Sequence, residues 1–281
     1  MKTVQEILSR STHYLEKRQV QGARRSSEEI LAYVLGCKRL DLYLRSLMPL
    51  QEEELQKVRE LLKKRGEGRP LAYIFGYVDF YGYRLKITPD VLIPRQETEI
   101  LVDLVVKEIR QEDFKQKVLW DIGAGSGCIG LSIKKALPEL QVVLSDISKK
   151  ALEIARENAA SHELDVTFVE GDLYLGKGDY VVCNPPYVTQ GEYENLDREV
   201  RDFEPKEALL GGMGFYERLQ REIPLHLAPG GKVFFEIGKD QGGEILKLFS
   251  KPIWHKQRVI KDWAGHDRFF FLEFRGFSNV N

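Results

Sequence analysis

The chain has 281 residues, of which 43% are apolar and 30% are charged, as is typical of a globular protein with enough material for two domains. Its 42 Lys and Arg residues balance 43 Asp and Glu residues, and the formal net charge of −1 excludes a strong general attraction to nucleic acid or to an anionic membrane. No apolar run approaches the roughly 18 residues of a transmembrane helix, and the first residues are too polar for a signal peptide, so we expect a cytoplasmic protein. The 3 Cys residues lack pairing or metal-ligand spacing, which predicts reduced thiols and no metal site.

Apolar side chains recur at helical spacing through residues 1–76, as in Leu55, Val58 and Leu62. This pattern predicts a small antiparallel helical bundle as a first domain. Its basic clusters, such as Lys63-Lys64-Arg65, are expected to be solvated faces, although they could also contact a partner.

Residues 77–93 change to an aromatic alternation that predicts a β-hairpin linking two domains. From residue 94 to residue 281, short apolar strands alternate with helical patterns. Parallel strands need such crossovers, so this rhythm predicts a doubly wound α/β domain with a mostly parallel sheet. The predicted strands are Val118–Ile122, Gln141–Ser145, Val166–Val169, Tyr180–Cys183 and Gly231–Ile237, followed by a closing antiparallel hairpin of Gln257–Lys261 and Arg268–Phe274.

A glycine-rich turn, Gly123-Ala124-Gly125-Ser126-Gly127, follows the first strand of this domain and opens a helix. Ligands of open α/β sheets bind outside the carboxyl ends of the strands, and glycines allow the backbone to approach them. Asp121 begins this turn, and its carboxylate would repel a pyrophosphate but attract a cationic amine or sulfonium. Asp146 and Asp172 end the next two strands, where they suit a ribose and an adenine.

The most informative segment is Asn184-Pro185-Pro186-Tyr187, which ends the fourth strand. The Asn184 side chain and the Pro185 carbonyl offer two fixed acceptors, because proline is restricted in φ and cannot join a sheet ladder through an N–H group. Two such acceptors suit a planar –NH2 group, on which Tyr187 could stack. The alternative is an ordinary Pro-rich turn.

Three classes of protein therefore remain open. Gly125 to Gly130 also satisfies the Gly-x-Gly-x-x-Gly pattern of a dinucleotide dehydrogenase. Polar groups at four consecutive strand ends favour S-adenosylmethionine instead. A non-catalytic binding protein would show an eroded glycine turn or a replaced Asn184, and neither is seen.

The chain strongly resembles the bacterial glutamine methyltransferases that modify peptide chain release factors on the Gln of their Gly-Gly-Gln loop. The resemblance covers nearly the whole chain, and the order and spacing of its motifs are specific. The motifs are Pro70–Ile74, Phe80–Gly82, Val91–Arg95, Glu97–Glu99, the glycine turn, Asn184–Tyr187, Phe203–Pro205, Leu210–Gly212, Pro229–Gly231, Glu236–Gly238 and Ala264–Arg268. Gln96 departs from the usual Pro, and Leu173 stands where some members have an aromatic residue.

The resemblance implies a seven-stranded class I (Rossmann-like) methyltransferase fold behind a helical recognition domain. It implies S-adenosylmethionine as cofactor, release factors as protein partners, no stable nucleic-acid or membrane partner, and a monomer. The implied cofactor contacts are Asp121, Gly123, Ala124, Gly125, Ser126, Gly127, Asp146, Ile147, Asp172, Leu173 and Asn184. Asn184, Pro185, Pro186 and Tyr187 would form the substrate pocket, with Asn184, Pro185 and Tyr187 as its catalytic members.

An amide nitrogen is a poor nucleophile, and the Asn184–Tyr187 segment contains no conventional base. Orientation of the nitrogen by the two acceptors is therefore the expected contribution. Glu97 or Glu99 could be tested as a base, although both suit a helix N-terminus. The alternative reaction is methylation of the exocyclic amine of adenine, which would enter the same slot as a flipped base. The balanced charge and the lack of a dense basic track argue against it.

Overall fold

The computed structural model describes residues 2–173 and 176–277. The described residues form two compact units. The first contains residues 2–76 together with residues 197–203, and the second contains the remaining described residues. The predicted hairpin region at residues 77–93 thus belongs to the second unit.

The first unit is helical, and its sequence shows why. In α1, the Thr3 side chain accepts a hydrogen bond from the Glu6 N–H group while the Glu6 carboxylate accepts one from the Thr3 N–H group. In α4, three Glu residues occupy the first turn and three basic residues the last, which complements the helix dipole. The helices are α1 (Val4–Glu16), α2 (Ala23–Val34), α3 (Asp41–Leu44), α4 (Glu52–Gly66), α5 (Leu71–Phe75) and α10 (Arg198–Phe203).

The segment 197–203 corrects the sequence-based division, which placed it in the second domain. Within the first unit, Glu199 pairs with the buried guanidinium of Arg65, which also donates to the Ser26 hydroxyl. Arg65 is therefore not part of a solvated face. Such long-range pairing leaves no periodic signal in the sequence.

The second unit begins with the antiparallel pair β1 and β2 and continues as an alternation of strands and helices. Its elements are β1 (Tyr77–Phe80), β2 (Tyr83–Lys86), α6 (Gln96–Ile109), β3 (Val118–Ile122), α7 (Cys128–Ala136), β4 (Gln141–Asp146), α8 (Lys149–Ser161), β5 (Thr167–Glu170), β6 (Gly178–Cys183), α9 (Gln190–Glu194), a 3-10 turn (Lys206–Ala208), α11 (Gly212–His226), β7 (Leu227–Glu236), α12 (Gly242–Leu248), β8 (Trp254–Lys261) and β9 (Asp267–Phe274).

Seven strands form one sheet in the order β5-β4-β3-β6-β7-β9-β8. The pairs from β5 through β7 are parallel, whereas β9 is antiparallel to both β7 and β8. This confirms the predicted doubly wound sheet and its closing hairpin. The strand order reverses between β3 and β6, and the crevice outside their carboxyl ends is where ligands of such sheets bind.

Two apolar clusters cover the two faces of this sheet. Successive strand residues point to opposite faces, so Leu119 enters one cluster and Trp120 the other. Among the helices of the described ranges, none is long and apolar enough to cross a membrane.

Candidate active site

A cavity of about 470 Å3 lies at the carboxyl ends of β3 to β6, within the range of small-ligand sites. Several of the predicted site residues line it together. These are Gly123, Gly125, Asp146, Ile147, Asp172, Leu173, Asn184, Pro185 and Pro186.

The glycine turn forms one wall of the cavity. Gly123 and Gly125 have φ values of 68° and 56°, which is the left-handed region that glycine adopts without strain. The N–H groups of Gly123 and Ala124 donate to the Ser145 carbonyl at 2.8 and 3.0 Å, so β4 fixes the turn. Ala124, Ser126 and Gly127 are buried behind this wall and are not among the lining residues.

Asp121 also lies behind the wall and differs from the expectation that it faces a ligand. It is 1% exposed, does not line the cavity, and accepts a 2.8 Å hydrogen bond from the Gly130 N–H group of α7. Burial raises the pKa of Asp121 to about 7. Its neighbour Ile122 lines the cavity, because adjacent strand residues point to opposite faces.

Asp146 joins the glycine turn to the start of α8. Its carboxylate accepts from the N–H groups of Gly125 at 2.9 Å and Ser148 at 2.8 Å. Burial raises the pKa of Asp146, and these N–H groups oppose the shift. Each oxygen retains a lone pair, so the carboxylate can still accept from a pair of ligand hydroxyls.

The other end of the cavity combines a surface ion pair with apolar groups. Asp172 pairs with Arg218 at 2.7 Å, and Leu173 is buried with a φ of 54°. Phe215, on α11, is the aromatic residue among the described lining residues. Sequence reasoning missed Phe215, which packs against the buried apolar cluster that contains Leu173.

The remaining wall, Pro89 to Leu92, follows the β1–β2 hairpin and was assigned from the sequence to the linker between the domains rather than to the site. Asn158 of α8, which is 1% exposed, connects this hairpin to the glycine turn. Its side chain accepts from the Lys86 N–H group at 2.7 Å and donates to the carbonyls of Lys86 and Ser126 at 3.1 and 2.9 Å. One side chain therefore holds both walls.

Asn158→Ala is expected to lower the free energy of unfolding by about 1–3 kcal/mol, because one buried and two partly buried backbone groups lose their partner. Urea denaturation followed by circular dichroism measures this change. Asn195→Ala is the control, since this exposed side chain donates to the Gly191 carbonyl and its loss should cost no more than about 0.5 kcal/mol. Equal destabilisation by the two variants would contradict the assigned role.

The Asn184–Tyr187 segment follows the end of β6, and backbone hydrogen bonds join the next residue, Val188, to residues 209–211. The Val188 N–H group donates to the Leu209 carbonyl at 2.9 Å, and the Gly211 N–H group donates to the Val188 carbonyl at 3.2 Å. Asn184, Pro185 and Pro186 line the cavity, whereas Tyr187 does not. The Tyr187 hydroxyl lies 3.4 Å from Glu236 Oε1, to which it donates.

The segment before α6 is fixed by a second buried acid that sequence reasoning missed. The Glu204 carboxylate accepts from the Ile93 N–H group at 3.1 Å and from the Arg95 guanidinium at 2.6 Å. Pro205, next in the chain, lines the cavity.

Neither candidate base lines the cavity, and Glu97 and Glu99 both lie in the first turn of α6. This position favours their role at the helix N-terminus.

Residues 2–173 and 176–277 contain no group of three or more His, Cys, Asp or Glu residues that could hold a metal ion.

A second cavity, of about 710 Å3, lies along β7–β9. Its charged groups satisfy one another: Lys232 pairs with Glu108 and Glu112, and Lys256 pairs with Glu273. Its lining residues include neither the Gly123–Gly127 turn nor the carboxyl ends of β3 to β6, so the smaller cavity is the better candidate site.

Two family models match the chain. A model described as the PrmC N-terminal domain matches residues 6–76, and a model described as the methyltransferase small domain matches residues 95–200.

Curated relatives match over nearly the full length. The release factor glutamine methyltransferase of Chlamydia trachomatis serovar D is 41% identical, covering 96% of this chain and 94% of the relative. That of Geobacter sulfurreducens is 38% identical, covering 95% of each. The crystal structure of a methyltransferase from Pyrococcus furiosus is similar, with a TM-score of 0.51 and 20% identity, covering 79% of this chain and 98% of that one. At this identity the likeness shows the methyltransferase fold alone.

Proposed function

The chain belongs to the release factor glutamine methyltransferase family, and we propose that it methylates the side-chain amide nitrogen of the Gln in the Gly-Gly-Gln loop of peptide chain release factors, with S-adenosylmethionine as cofactor. The observation that carries this proposal is a shared cavity. The glycine turn and Asp146 line the same space as Asn184, Pro185 and Pro186, so a bound cofactor and an amide group would meet there.

The residues of the cavity fit this cofactor. Gly123 and Gly125 allow close approach of the backbone, and Asp146 can accept from ribose hydroxyls. Leu173 and Phe215 offer apolar contact to an adenine ring. The cofactor, when bound, supplies a methyl group activated by a sulfonium sulfur.

The chain itself contributes orientation and electrostatics. The Asn184 side-chain oxygen and the Pro185 carbonyl accept the two N–H bonds of the substrate amide and aim its nitrogen. The same two dipoles stabilise the positive charge that develops on that nitrogen. The surplus proton leaves to solvent after transfer, so no general base is needed.

A methyl-label experiment tests the function. The protein is incubated with methyl-labelled cofactor and a release factor, its Gln-to-Ala variant in the Gly-Gly-Gln loop, or DNA. We expect label only on the release factor with the intact loop, located by peptide mass spectrometry. Label on the Gln-to-Ala variant or on DNA alone would contradict the proposal.

With this function we also propose a partner, an oligomeric state and a cellular location. The helical unit of residues 2–76, which matches the PrmC N-terminal domain, would recognise the release factor. The enzyme would act as a monomer in the cytoplasm. Methylation of adenine is less supported, because the curated relatives carry the glutamine activity in their names.

A further inference from the structure

A chain of buried polar side chains lies directly behind Asn184. Thr98 of α6 and Glu236 at the end of β7 are each 1% exposed. The Thr98 hydroxyl donates to Glu236 Oε2 at 2.7 Å, and Asn184 Nδ2 lies 3.5 Å from Thr98 Oγ1. Neither residue was assigned a function from the sequence, although both fall within the motifs that carry the family resemblance.

The direction of each hydrogen bond follows from the number of protons. A carboxylate can only accept, so the single hydroxyl proton of Thr98 is committed to Glu236. Thr98 Oγ1 can then act towards Asn184 only as an acceptor. The atom of Asn184 that faces Thr98 must therefore be the donor Nδ2, which leaves the oxygen Oδ1 on the other side of the amide.

We propose that Thr98 and Glu236 are positioning residues that hold the Asn184 amide in this orientation, with Oδ1 presented to the N–H group of the methyl-accepting amide. This inference rests on the proposed function. Without the two residues, the Asn184 amide could rotate by about 180° and present its own N–H groups to the substrate. Two donors would then face each other, and the substrate nitrogen would lose an acceptor.

Glu236 is held firmly enough to serve as the fixed end of this series of hydrogen-bonded side chains. Its own backbone carbonyl accepts from the Tyr216 hydroxyl at 2.8 Å, while Oε1 accepts from Tyr187. Its backbone also belongs to the antiparallel pairing of β7 with β9, in which Glu236 lies opposite Phe269. The carboxylate therefore has a defined place between α6, the Asn184–Tyr187 segment and the sheet.

The protonation state of Glu236 sets the direction of the hydrogen bonds that run from Glu236 through Thr98 to Asn184. Burial raises its pKa to about 7, opposed by the Thr98 hydroxyl and the Arg268 guanidinium. Other titratable groups with an electrostatic effect in this region are Glu97, Cys128, Cys183, Tyr187 and Tyr216. Above its pKa, Glu236 only accepts; below it, the protonated acid can donate to Thr98 and release the Thr98 proton towards Asn184. The orientation of Asn184, and with it kcat, should therefore be lost as the pH falls through this pKa.

Matched substitutions separate this role from a structural one. Thr98→Val keeps the shape of the side chain but removes the hydroxyl, and is expected to lower kcat about tenfold, with cofactor affinity unchanged. Thr98→Ser restores the hydroxyl and should recover most of kcat. Thr167→Val is the control for the substitution itself, because Thr167 is exposed on the edge strand β5 and does not line the cavity. Full kcat in Thr98→Val would overturn the inference.

Glu236→Gln gives a second test that a structural role would not predict. The neutral amide can still accept from Thr98, so activity near pH 8 should be largely kept, while the fall in kcat at lower pH should disappear. An unchanged pH profile in Glu236→Gln would contradict the inference.

A direct readout does not depend on turnover. The side-chain amide signal of Asn184 in 15N-labelled protein, assigned from its absence in Asn184→Ala, should titrate near neutral pH in the wild type and not in Glu236→Gln. The same titration in both proteins would overturn the inference. If the signal behaves as expected but no release factor is methylated, the proposed function fails and the positioning role stands.

Discussion

Asn184→Ala is expected to lower kcat for methyl transfer by about 10²–10³-fold, in the range seen when one preorganised hydrogen-bond partner of a developing charge is removed. The affinity for S-adenosylmethionine should change little, because the glycine turn and Asp146 stay in place. Single-turnover transfer of labelled methyl and calorimetric titration with S-adenosylhomocysteine measure the two quantities separately.

Asn184→Gln sharpens this expectation. It keeps an amide but moves it outward by one methylene group, and transfer depends on position, so its kcat should also fall strongly. Asn195→Ala, whose side chain is exposed outside the cavity, is the control. Normal turnover in Asn184→Ala would remove Asn184 from the mechanism.

The second large effect is expected from Gly211→Ala. A Cβ atom at Gly211 would lie 2.1 Å from the Pro186 carbonyl oxygen, so backbone would have to move. The ring of Pro186 fixes its φ, and the Gly211 N–H group also supports Val188. We expect a shifted Asn184–Tyr187 segment, a loss of about 1–3 kcal/mol of stability from overpacking, and a kcat about 10²-fold lower because the acceptors are misplaced.

Gly214→Ala is a matched control for this substitution. Gly214 lies three residues further along in α11, and a Cβ atom there meets nothing within 4 Å. Alanine has a higher helix propensity than glycine, so this variant should be as active as the wild type and as stable or slightly more stable. Thermal unfolding and labelled methyl transfer are measured for both variants. Equal activity of Gly211→Ala and the wild type would show that residues 209–211 do not position the site.

The succession of strands and helices along the chain, and the edge of the sheet that holds the candidate site, followed from the sequence because they depend on local patterns. Alternation of strands with helices requires parallel pairing, and a glycine turn after the first strand marks the ligand edge. Asp146 and Asn184, which line the cavity, were placed at this edge in this way, since Asp146 ends β4 and Asn184 directly follows β6.

The sequence does not predict in which direction the side chains at that edge point. Asp121 and Ile122 are neighbours at the end of β3, and the sequence does not state which of them points behind the wall. The structure places Asp121 against Gly130 and Ile122 at the cavity.

Contacts between distant segments were also beyond the sequence. Thr98 and Glu236 are 138 residues apart and meet only because α6 packs beside β7. Glu204 reaches Arg95 across a similar separation. The sequence can place a polar residue in a motif, but its hydrogen-bond partner is known only from the fold.

The proposed reaction depends most on the identity of the methyl-accepting atom. A release factor labelled with 15N in its Gln side-chain amides should be treated with the protein and a cofactor that carries a 13C methyl group. We predict a one-bond 13C–15N coupling at the Gln of the Gly-Gly-Gln loop, with a single N–H remaining on that nitrogen. A methyl signal without 15N coupling, or one attached to any other residue, would contradict the proposed reaction.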